Sequence, residues 1–258
     1  MNRGYFSART IDDSCALVEC SYRLRYQVYC LERKFLPAGN YPSGMERDRF
    51  DRHAIHVGAI DGHGELAGTA RVVRPSEIGL PIFEHCAVYP HETRFHAGHP
   101  RLVEVGRLSV SRGYRRRRNE TAESGASIAA PNVTAGYRGA ERRRHHEDVF
   151  LTLLKALYQA SRRAGAEHWL AATEKSLQRL LARHGFPFHQ IGPDTDYFGT
   201  VAPYHMDLQE FDEVIASGRF GGLDDFTEGL EPRSPDDAAD GAFLPADRTG
   251  AVDTVTAP

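Results

Sequence analysis

Carboxylates and arginines recur at short spacings in a few places along this chain. An acidic and basic segment spans residues 46–51, an arginine ends the segment Gly68-Thr69-Ala70-Arg71, and Glu104 stands three residues before Arg107. A positioned carboxylate can remove the proton that keeps an amine from acting as a nucleophile. Arginine binds carboxylates and phosphates through its planar, forked donor group. These residue types are therefore candidates for general acid–base catalysis and for binding a carboxylate or a phosphate.

Taken singly, each group also has an ordinary structural interpretation. Asp51 could cap a turn, Arg71 could be a solvated side chain on a strand, and Glu104 and Arg107 could form a cross-strand ion pair. By strict alternation, residues 104 and 107 lie on opposite faces of a strand, so joint action needs a bulge, which Gly106 permits. The functional interpretation therefore depends on the elements that position these residues.

The first half of the chain predicts one helix, one hairpin and one strand around these motifs. Apolar spacing after the candidate N-caps Asp12, Asp13 and Ser14 predicts a helix over 12–33, and the Gly and Pro residues of 34–50 predict a long loop. Residues 53–73 alternate around a Gly-rich turn and predict a β-hairpin. A short helix over 81–88 and a strand over 102–110 follow. Arg71, on the returning strand of the hairpin, is therefore expected to lie close to the carboxylates of residues 46–51.

The second half alternates helices and strands. Apolar residues at i, i+3 and i+4 predict a helix over 149–165, followed by a strand over 168–172 and a helix over 173–185. Extended segments at 186–191 and 197–208 complete the pattern. The order predicts an α/β (α+β) fold with a mixed sheet flanked by helices.

Charge and composition divide the 258 residues into three parts. A polar, arginine-rich excursion at 111–145 lacks apolar periodicity and is expected to be mobile. Residues 1–222 are predicted to form one domain with the excursion inside it, and residues 223–258 to form an acidic, disordered tail. The chain from Asp224 onward carries a formal charge of −7, which leaves +4 for the rest of a chain with net charge −3.

Four ordered motifs resemble the signature of a known family: Arg25-x-x-Val28-Tyr29, Glu46-x-Asp48-x-Phe50-Asp51, Gly68-x-x-Arg71 and Glu104-x-x-Arg107. Together they resemble the acyl-homoserine lactone (autoinducer) synthases. They are equally similar to the N-acyl amino acid synthases and to the acyltransferases associated with bacterial exosortase (PEP-CTERM) systems. The resemblance covers about residues 14–210.

This resemblance implies a fold like that of the Gcn5-related N-acetyltransferases (GNAT), with a V-splayed sheet and helices on both faces. The implied chemistry is transfer of a fatty acyl group from a thioester, usually on acyl carrier protein, to the amine of a small amino-acid-like acceptor. We predict Glu104 as the general base, and a bulged strand whose backbone N–H groups bind the oxyanion. The implied catalytic residues are Glu104, Arg107 and Asp51, and the implied substrate-binding residues are Arg25, Asp48, Arg71, Leu108 and Val110.

Two departures from the autoinducer synthases bear on the substrates. The loop after the first helix has Phe35 where those enzymes have a tryptophan, and the only tryptophan is Trp169. This argues against S-adenosylmethionine as acceptor and against lactone formation. The excursion also stands where acetyl-CoA enzymes have a short Gly-rich pyrophosphate loop. Both departures favour the exosortase-associated or N-acyl amino acid branch.

The arginines of the excursion are the predicted docking site for the acyl donor: Arg112, Arg115, Arg116, Arg117, Arg118, Arg142, Arg143 and Arg144. They suit the acidic face of acyl carrier protein, the phosphates of CoA, or a merely solvated loop. Nucleic acid is not expected as a partner, because no aromatic ladder or reading helix accompanies them. We expect acyl carrier protein or CoA to bring the acyl group, with no bound cofactor and no metal.

Two other functions stay open from the residues alone. One is a short-chain acyl-CoA-dependent acetyltransferase, and the other is a non-catalytic carrier-protein or nucleic-acid binding module on the same fold. The chain has no apolar run long enough for a membrane span, and residues 1–10 lack an apolar secretion segment, so a cytoplasmic location is expected. The four cysteines form no C-x-x-C pair and are expected to be reduced thiols.

Overall fold

The computed structural model describes residues 6–114 apart from 97, and residues 146–230 apart from 198, 224 and 229. Within these residues the strands join in the order β1-β2-β3-β4-β5-β8-β6, and β7 pairs with β8. The β4–β5 pair is parallel, and the other pairs are antiparallel. The strands are β1 (Phe6–Thr10), β2 (Ala54–Asp61), β3 (Leu66–Val73), β4 (Leu102–Val110), β5 (His168–Thr173), β6 (His189–Gln190), β7 (Thr195–Asp196) and β8 (Thr200–Asp207).

Five α-helices accompany the sheet in the described residues: α1 (Cys15–Arg25), α2 (Ile82–His85), α3 (His146–Arg163), α4 (Lys175–Arg183) and α5 (Leu208–Ala216). Helix α1 is capped by Ser14 and continues as a π-helix over Tyr26–Glu32. The predicted first helix, hairpin, strand β4 and helices α2 to α4 are confirmed within a few residues. Strands β1 and β7 and helix α5 were not predicted.

Helices α1 and α3 cover opposite faces of the sheet. On one face, Gly68 leaves room for α3, because a Cβ there would lie 2.8 Å from Leu153 Cδ1 and 3.0 Å from Val149 Cγ1. On the other face, Arg71 of the same strand points toward α1 and shares a carboxylate with Arg25. The alternation of β3 therefore separates an apolar core under α3 from a charged cluster under α1.

Strands β4 and β5 diverge and create a V in the sheet. They pair only over Leu102–Glu104 and His168–Leu170. Beyond Glu104, β4 also contains a bulge, because the pairing of β3 and β4 shifts between Thr69↔Ser109 and Arg71↔Gly106. Arg107 lies at this bulge with a left-handed φ of 54°, which costs a non-glycine residue about 1–2 kcal/mol. The predicted bulge is therefore present, but Arg107 rather than Gly106 adopts the unusual conformation.

The acidic tail does not begin where composition places it. The prediction that the folded domain ends at residue 222 is wrong, because Leu223 and Phe226 are buried in the core against α3 and α5. The Phe226 ring packs edge-on to Phe211, and Gln159 donates a hydrogen bond of 3.1 Å to the Phe226 carbonyl. The prediction failed because it used the average composition of the segment, in which acidic residues outnumber these two apolar residues. Residues 231–258, and residues 115–145 of the excursion, lie outside the described residues.

Truncation should separate the packed from the acidic part of this segment. We expect a chain ending at residue 223 to be less stable than a chain ending at residue 230 by about 3–5 kcal/mol, the cost of losing a buried phenylalanine. Urea unfolding of both chains measures the difference. Equal unfolding free energies would mean that Phe226 contributes nothing to the core.

A second expected result concerns the stability of the sheet in acid. His205 on β8 is buried, its Nε2 lies 3.2 Å from His168 Nδ1, and its ring packs on Phe95. Burial, together with the charges of His168 and Arg94, lowers the pKa of His205 to about 3. In the unfolded chain the His205 side chain has its ordinary pKa of about 6.5. Between pH 3 and pH 6.5 the unfolded chain therefore binds about one more proton at His205 than the folded chain does.

His205 should therefore destabilise the fold by about 1.4 kcal/mol for each pH unit below about 6.5. We expect His205→Gln, which cannot gain this proton, to be less stable than the wild type at neutral pH but to lose less stability on acidification. Urea unfolding between pH 4 and pH 7 measures the slopes. His63→Gln, in the exposed hairpin turn, should keep the wild-type slope, and a wild-type slope in His205→Gln would contradict the assignment.

Candidate active site

Charged residues from all four motifs meet in one buried cluster. Arg25, at the end of α1, is 1% exposed and donates from Nε to Glu46 Oε2 at 2.5 Å. Its two terminal nitrogens bind both oxygens of Asp51, at 2.6 and 3.1 Å. Glu46 is itself fully buried. One arginine thus joins the first helix to the loop that precedes β2.

A backbone hydrogen bond links Asp48 to Asp51, and both carboxylates bind arginines. Asp48 caps the short 3-10 turn Arg49–His53, and its backbone N–H donates to Asp51 Oδ2 at 2.8 Å. Arg71 donates to both oxygens of Asp48 at 2.7 Å and to Asp51 Oδ1 at 2.6 Å. Burial opposes ionisation, but the His56 hydrogen bond and the charges of Arg25 and Arg71 hold the pKa of Asp51 far below its usual range. Asp51 is therefore an ionised anchor for two arginines.

Arg107 connects this cluster to the V of the sheet. Its Nε donates to Glu46 Oε1 at 3.2 Å and its Nη2 to Asp48 Oδ2 at 3.1 Å. The guanidinium also lies over the ring of Tyr29, 5.5 Å from the centroid, and the Tyr29 hydroxyl donates to the Leu108 carbonyl at 3.3 Å. Two ion pairs and the Tyr29 ring therefore stabilise Arg107, whose backbone is in the left-handed conformation at the bulge.

Glu104 lies on the same side of the V as Arg107. Its Oε2 accepts a hydrogen bond of 2.6 Å from the backbone N–H of Ile82, at the start of α2. Burial raises the pKa of Glu104 to about 7, although this hydrogen bond and the charges of Arg71 and Arg107 oppose the change. A carboxylate that gains and loses its proton near neutral pH has the properties of a general base.

A cavity of about 510 Å³ occupies the V between β4 and β5, a volume typical of small-molecule sites. Glu104, Arg107 and Tyr197 supply polar groups to its wall, and the exposed side chains of Arg33 and Arg183 line it as well. Apolar side chains from the π-helix, β4, β5, α3 and α4 cover most of the remaining wall, among them Val28, Val105, Leu154, Leu157, Trp169, Leu180 and Leu181. The site therefore combines a charged wall with space for an apolar group.

Residues 24–123 match the family profile described as Acetyltransferase (GNAT) domain. This part of the chain is therefore similar to a GNAT acetyltransferase domain. The profile spans the end of α1 through β4, which are the elements that supply the whole charged cluster. No curated protein sequence matches the chain.

Solved structures similar to this chain include two acyl-homoserine lactone synthases and one N-acyl amino acid synthase. BjaI, a CoA-dependent acyl-homoserine lactone synthase solved with SAM and isopentyl-CoA, has a TM-score of 0.56 at 18% identity, covering 86% of this chain and 98% of its own. MesI, also a CoA-dependent acyl-homoserine lactone synthase, has a TM-score of 0.52 at 20% identity over 82% of this chain and 94% of its own. FeeM, an N-acyl amino acid synthase from uncultured soil microbes, has a TM-score of 0.52 at 14% identity over 83% and 96%. The predicted GNAT-like fold is confirmed.

The fold separates the candidate residues by where they lie relative to the cavity. Glu104, Arg107, Leu108 and Val110 line the cavity. Asp48 is 24% exposed at the edge of the cluster. Arg25, Asp51 and Arg71 are buried behind Arg107 and do not line the cavity. Arg112 lies in an exposed turn after β4, and the other seven arginines of the predicted docking site, Arg115–118 and Arg142–144, lie outside the described residues.

Sequence reasoning missed two residues of the site, Tyr197 and His56. Tyr197 lines the cavity and hydrogen bonds to Arg107, and burial raises its pKa. His56 is buried beside Asp51. The sequence showed that side chains of β2 alternate between two faces. It did not show that the face with His56 contacts the charged cluster, which only the structure reveals. Among the helices that the structure describes, none has the length and apolar composition needed to cross a bilayer.

Proposed function

We propose that the protein is an N-acyltransferase that moves a fatty acyl group from a thioester to the amine of a small acceptor. The observation that carries this proposal is Glu104, whose pKa is raised to about 7 on the wall of a largely apolar cavity and which lies on the same strand as Arg107. Acyl transfer to an amine needs a base, an oxyanion site and room for the acyl group. The site offers a candidate for each.

In the first step, Glu104 takes a proton from the acceptor ammonium, directly or through a water molecule. The free amine nitrogen then attacks the thioester carbonyl carbon, and a C–N bond forms. When the tetrahedral intermediate collapses, the C–S bond breaks and the sulfur leaves as a thiolate. The thiolate takes a proton from protonated Glu104 or from the hydroxyl of Tyr197, whose raised pKa keeps it protonated at neutral pH. The second proton of the attacking nitrogen then passes to the group that gave up its proton, which leaves a neutral amide and a neutral thiol. Glu104 releases its remaining proton to solvent before the next cycle.

The bulge in β4 supplies the proposed oxyanion site. Bulges leave a residue outside the regular ladder, so its N–H can serve a ligand. Leu108 lies at the bulge and lines the cavity. Its N–H, with the guanidinium of Arg107 close by, is the proposed donor to the thioester oxygen as negative charge develops there. Val110 lies farther along β4 and contributes to the cavity wall.

The buried cluster has a positioning role in this proposal. Asp51, Arg25 and Arg71 do not reach the cavity, so we assign them to holding Asp48 and Arg107 rather than to touching substrate. Arg107 is then the cation that an acceptor carboxylate would meet. The likeness of the fold to FeeM, an N-acyl amino acid synthase, supports an amino-acid-like acceptor.

The donor is proposed to be a long-chain acyl thioester on acyl carrier protein. The apolar lining between β5, α3 and α4 offers far more space than an acetyl group needs. Two exposed arginines, Arg33 and Arg183, line the cavity, and Arg179 lies one turn before Arg183 on α4. They add cations to those predicted in the excursion, and exposed cations steer an acidic partner toward the opening.

A matched panel of donors tests the proposal. Acyl carrier protein, CoA and pantetheine thioesters of one long chain, together with acetyl-CoA, are mixed with amino acid acceptors, and products are measured by mass spectrometry. We expect N-acyl products from the long-chain thioesters. Acetyl transfer alone would favour the short-chain acetyltransferase instead, and the absence of any acyl product would refute the proposed function.

Charge reversal separates the carrier protein from CoA as the preferred donor. Arg183→Glu should raise KM for the acyl carrier protein thioester severalfold, while the pantetheine thioester, which lacks an acidic protein surface, reacts as with the wild type. Arg219→Glu, at an exposed position away from the cavity, is the control. An unchanged KM in Arg183→Glu would remove α4 from the docking surface.

A further inference from the structure

His56 stands between a surface carboxylate and the buried cluster. It lies on β2, is 3% exposed, and pairs with Arg71 of β3 across the sheet. Its Nδ1 lies 2.8 Å from Asp12 Oδ1, and its Nε2 lies 3.2 Å from Asp51 Oδ1. Asp12 also accepts the backbone N–H of His56 at 3.0 Å. Both ring nitrogens therefore face carboxylate oxygens.

The nearest partner of each ring nitrogen is a carboxylate, because the Tyr22 hydroxyl, at 3.5 Å, lies farther from Nε2 than Asp51 does, and this favours a doubly protonated ring. An ionised carboxylate only accepts hydrogen bonds, whereas a neutral imidazole has one donor and one acceptor nitrogen. Two carboxylate partners are satisfied together only when both nitrogens carry protons, which makes the ring an imidazolium. Burial opposes this charge, but hydrogen bonds to Asp12 and Asp51 raise the pKa of His56 above its ordinary value.

We infer that His56 is a positioning residue, held as an imidazolium between Asp12 and Asp51, that fixes Asp51 and through it the arginines of the active site. Asp51 Oδ1 accepts from Arg25, Arg71 and His56 together. From Asp51 the contacts run through Arg71 and Asp48 to Arg107, which lines the cavity. The kinetic consequences of this inference rest on the proposed function, whereas the charge state does not.

Charge balance gives His56 a second effect on the site. The cluster contains three arginines and three carboxylates, Glu46, Asp48 and Asp51, and the His56–Asp12 pair adds one charge of each sign. Removal of the His56 charge leaves a surplus negative charge beside these groups. A more negative site disfavours ionisation of Glu104, so the pH at which that base becomes active should rise.

Loss of the imidazolium at high pH should loosen Asp51 and so lower kcat, which gives the kcat profile an alkaline limb. The charged and titratable groups around the ring are Asp12 from the turn before α1, Tyr22 from α1, Asp51 from the turn before β2, and Arg71 from β3. Because its folded pKa is raised, His56 contributes its stabilisation fully below its unfolded value of about 6.5 and loses it as pH rises through the folded value. A neutral ring then releases one of its two carboxylates.

Kinetics of His56→Gln test the positioning role. Glutamine keeps a donor near the position of Nε2 but has no charge. We expect kcat to fall roughly 10- to 100-fold, as for a displaced catalytic geometry, with KM for the acyl donor nearly unchanged. The acid limb of the kcat profile should move to higher pH. His189→Gln, an exposed substitution on β6, should match the wild type.

Asp12→Asn provides a variant that keeps the buried histidine, because Asp12 is 31% exposed and lies outside the cluster. With one carboxylate lost, the imidazolium is less stable, so the alkaline limb of the kcat profile should move to lower pH. A merely structural contact would leave this limb in place. Wild-type kcat profiles in both His56→Gln and Asp12→Asn would overturn the positioning role.

Nitrogen NMR of 15N-histidine-labelled protein tests the charge state without any acyl transfer. We expect both ring nitrogens of His56 to show the protonated signature at pH 7.5. A neutral tautomer at pH 7.5 would overturn the inference, whatever the enzyme does. A wild type that transfers no acyl group would instead refute the proposed function, and a protonated His56 in that protein would still support the pairing with Asp12 and Asp51.

Discussion

Replacement of Glu104 by glutamine should lower kcat for acyl transfer by about 10²-fold or more, the usual contribution of a positioned general base. The amide preserves the shape of the side chain and can accept the Ile82 N–H through its oxygen, so the fold should remain intact. Only the capacity to take a proton from the acceptor is lost. Steady-state kinetics with the donor of the panel measure the effect.

The pH dependence of the wild type provides the matching observation. Because the pKa of Glu104 is raised to about 7, the carboxylate form grows in as pH increases through neutrality, and kcat should rise over the same interval. This limb should be absent from the residual activity of Glu104→Gln. Glu213→Gln, on the exposed side of α5, should keep both rate and limb. Near wild-type turnover by folded Glu104→Gln would remove Glu104 from the mechanism.

Replacement of Arg25 by methionine should destabilise the fold by about 3–5 kcal/mol, because it leaves buried carboxylates without their cation. Arg25 makes three hydrogen bonds with Glu46 and Asp51 in a site that excludes water. Arg71 and Arg107 also bind these carboxylates but cannot neutralise all the negative charge that remains. The free energy of unfolding in urea at neutral pH measures the loss.

Arg23 is the matched control on the same helix. It pairs with Glu19, but the two side chains are 59% and 51% exposed. Exposed ion pairs contribute at most about 1 kcal/mol, so Arg23→Met should lie close to the wild type. Equal losses in Arg23→Met and Arg25→Met would show that burial of the Arg25 pair adds nothing to its strength.

Local patterns were enough to predict the elements that carry the site. The hairpin and strand β4 follow from alternation, and α3 follows from its apolar spacing. The motif match identified one set of six residues: Arg25, Asp48, Asp51, Arg71, Glu104 and Arg107. In the structure, five of them form one cluster, and Glu104 lies on the adjoining wall of the cavity. The sequence could not show which of them line the cavity, because that depends on how β4 and β5 diverge.

The features that sequence reasoning missed depend on tertiary packing. The bulge centres on Arg107 rather than on the more permissive Gly106, since ion pairs to Glu46 and Asp48 stabilise the left-handed residue. Phe226 lies in an acidic segment, yet it is buried because α3 and α5 leave an aromatic pocket there. Tyr197 lines the cavity only because the loop before β8 folds against the opening between β4 and β5. No local sequence pattern indicates this contact.

The equality of buried positive and negative charges constrains how this site can change in evolution. Arg25 comes from α1, whereas Glu46 and Asp51 come from the segment before β2, and the loss of any one of them leaves an uncompensated buried charge. Viable descendants should therefore alter these positions in compensating pairs, and a homologue with an apolar residue at position 25 should also lack one of the two carboxylates. The cluster should be inherited as a unit, while the apolar cavity wall is free to vary.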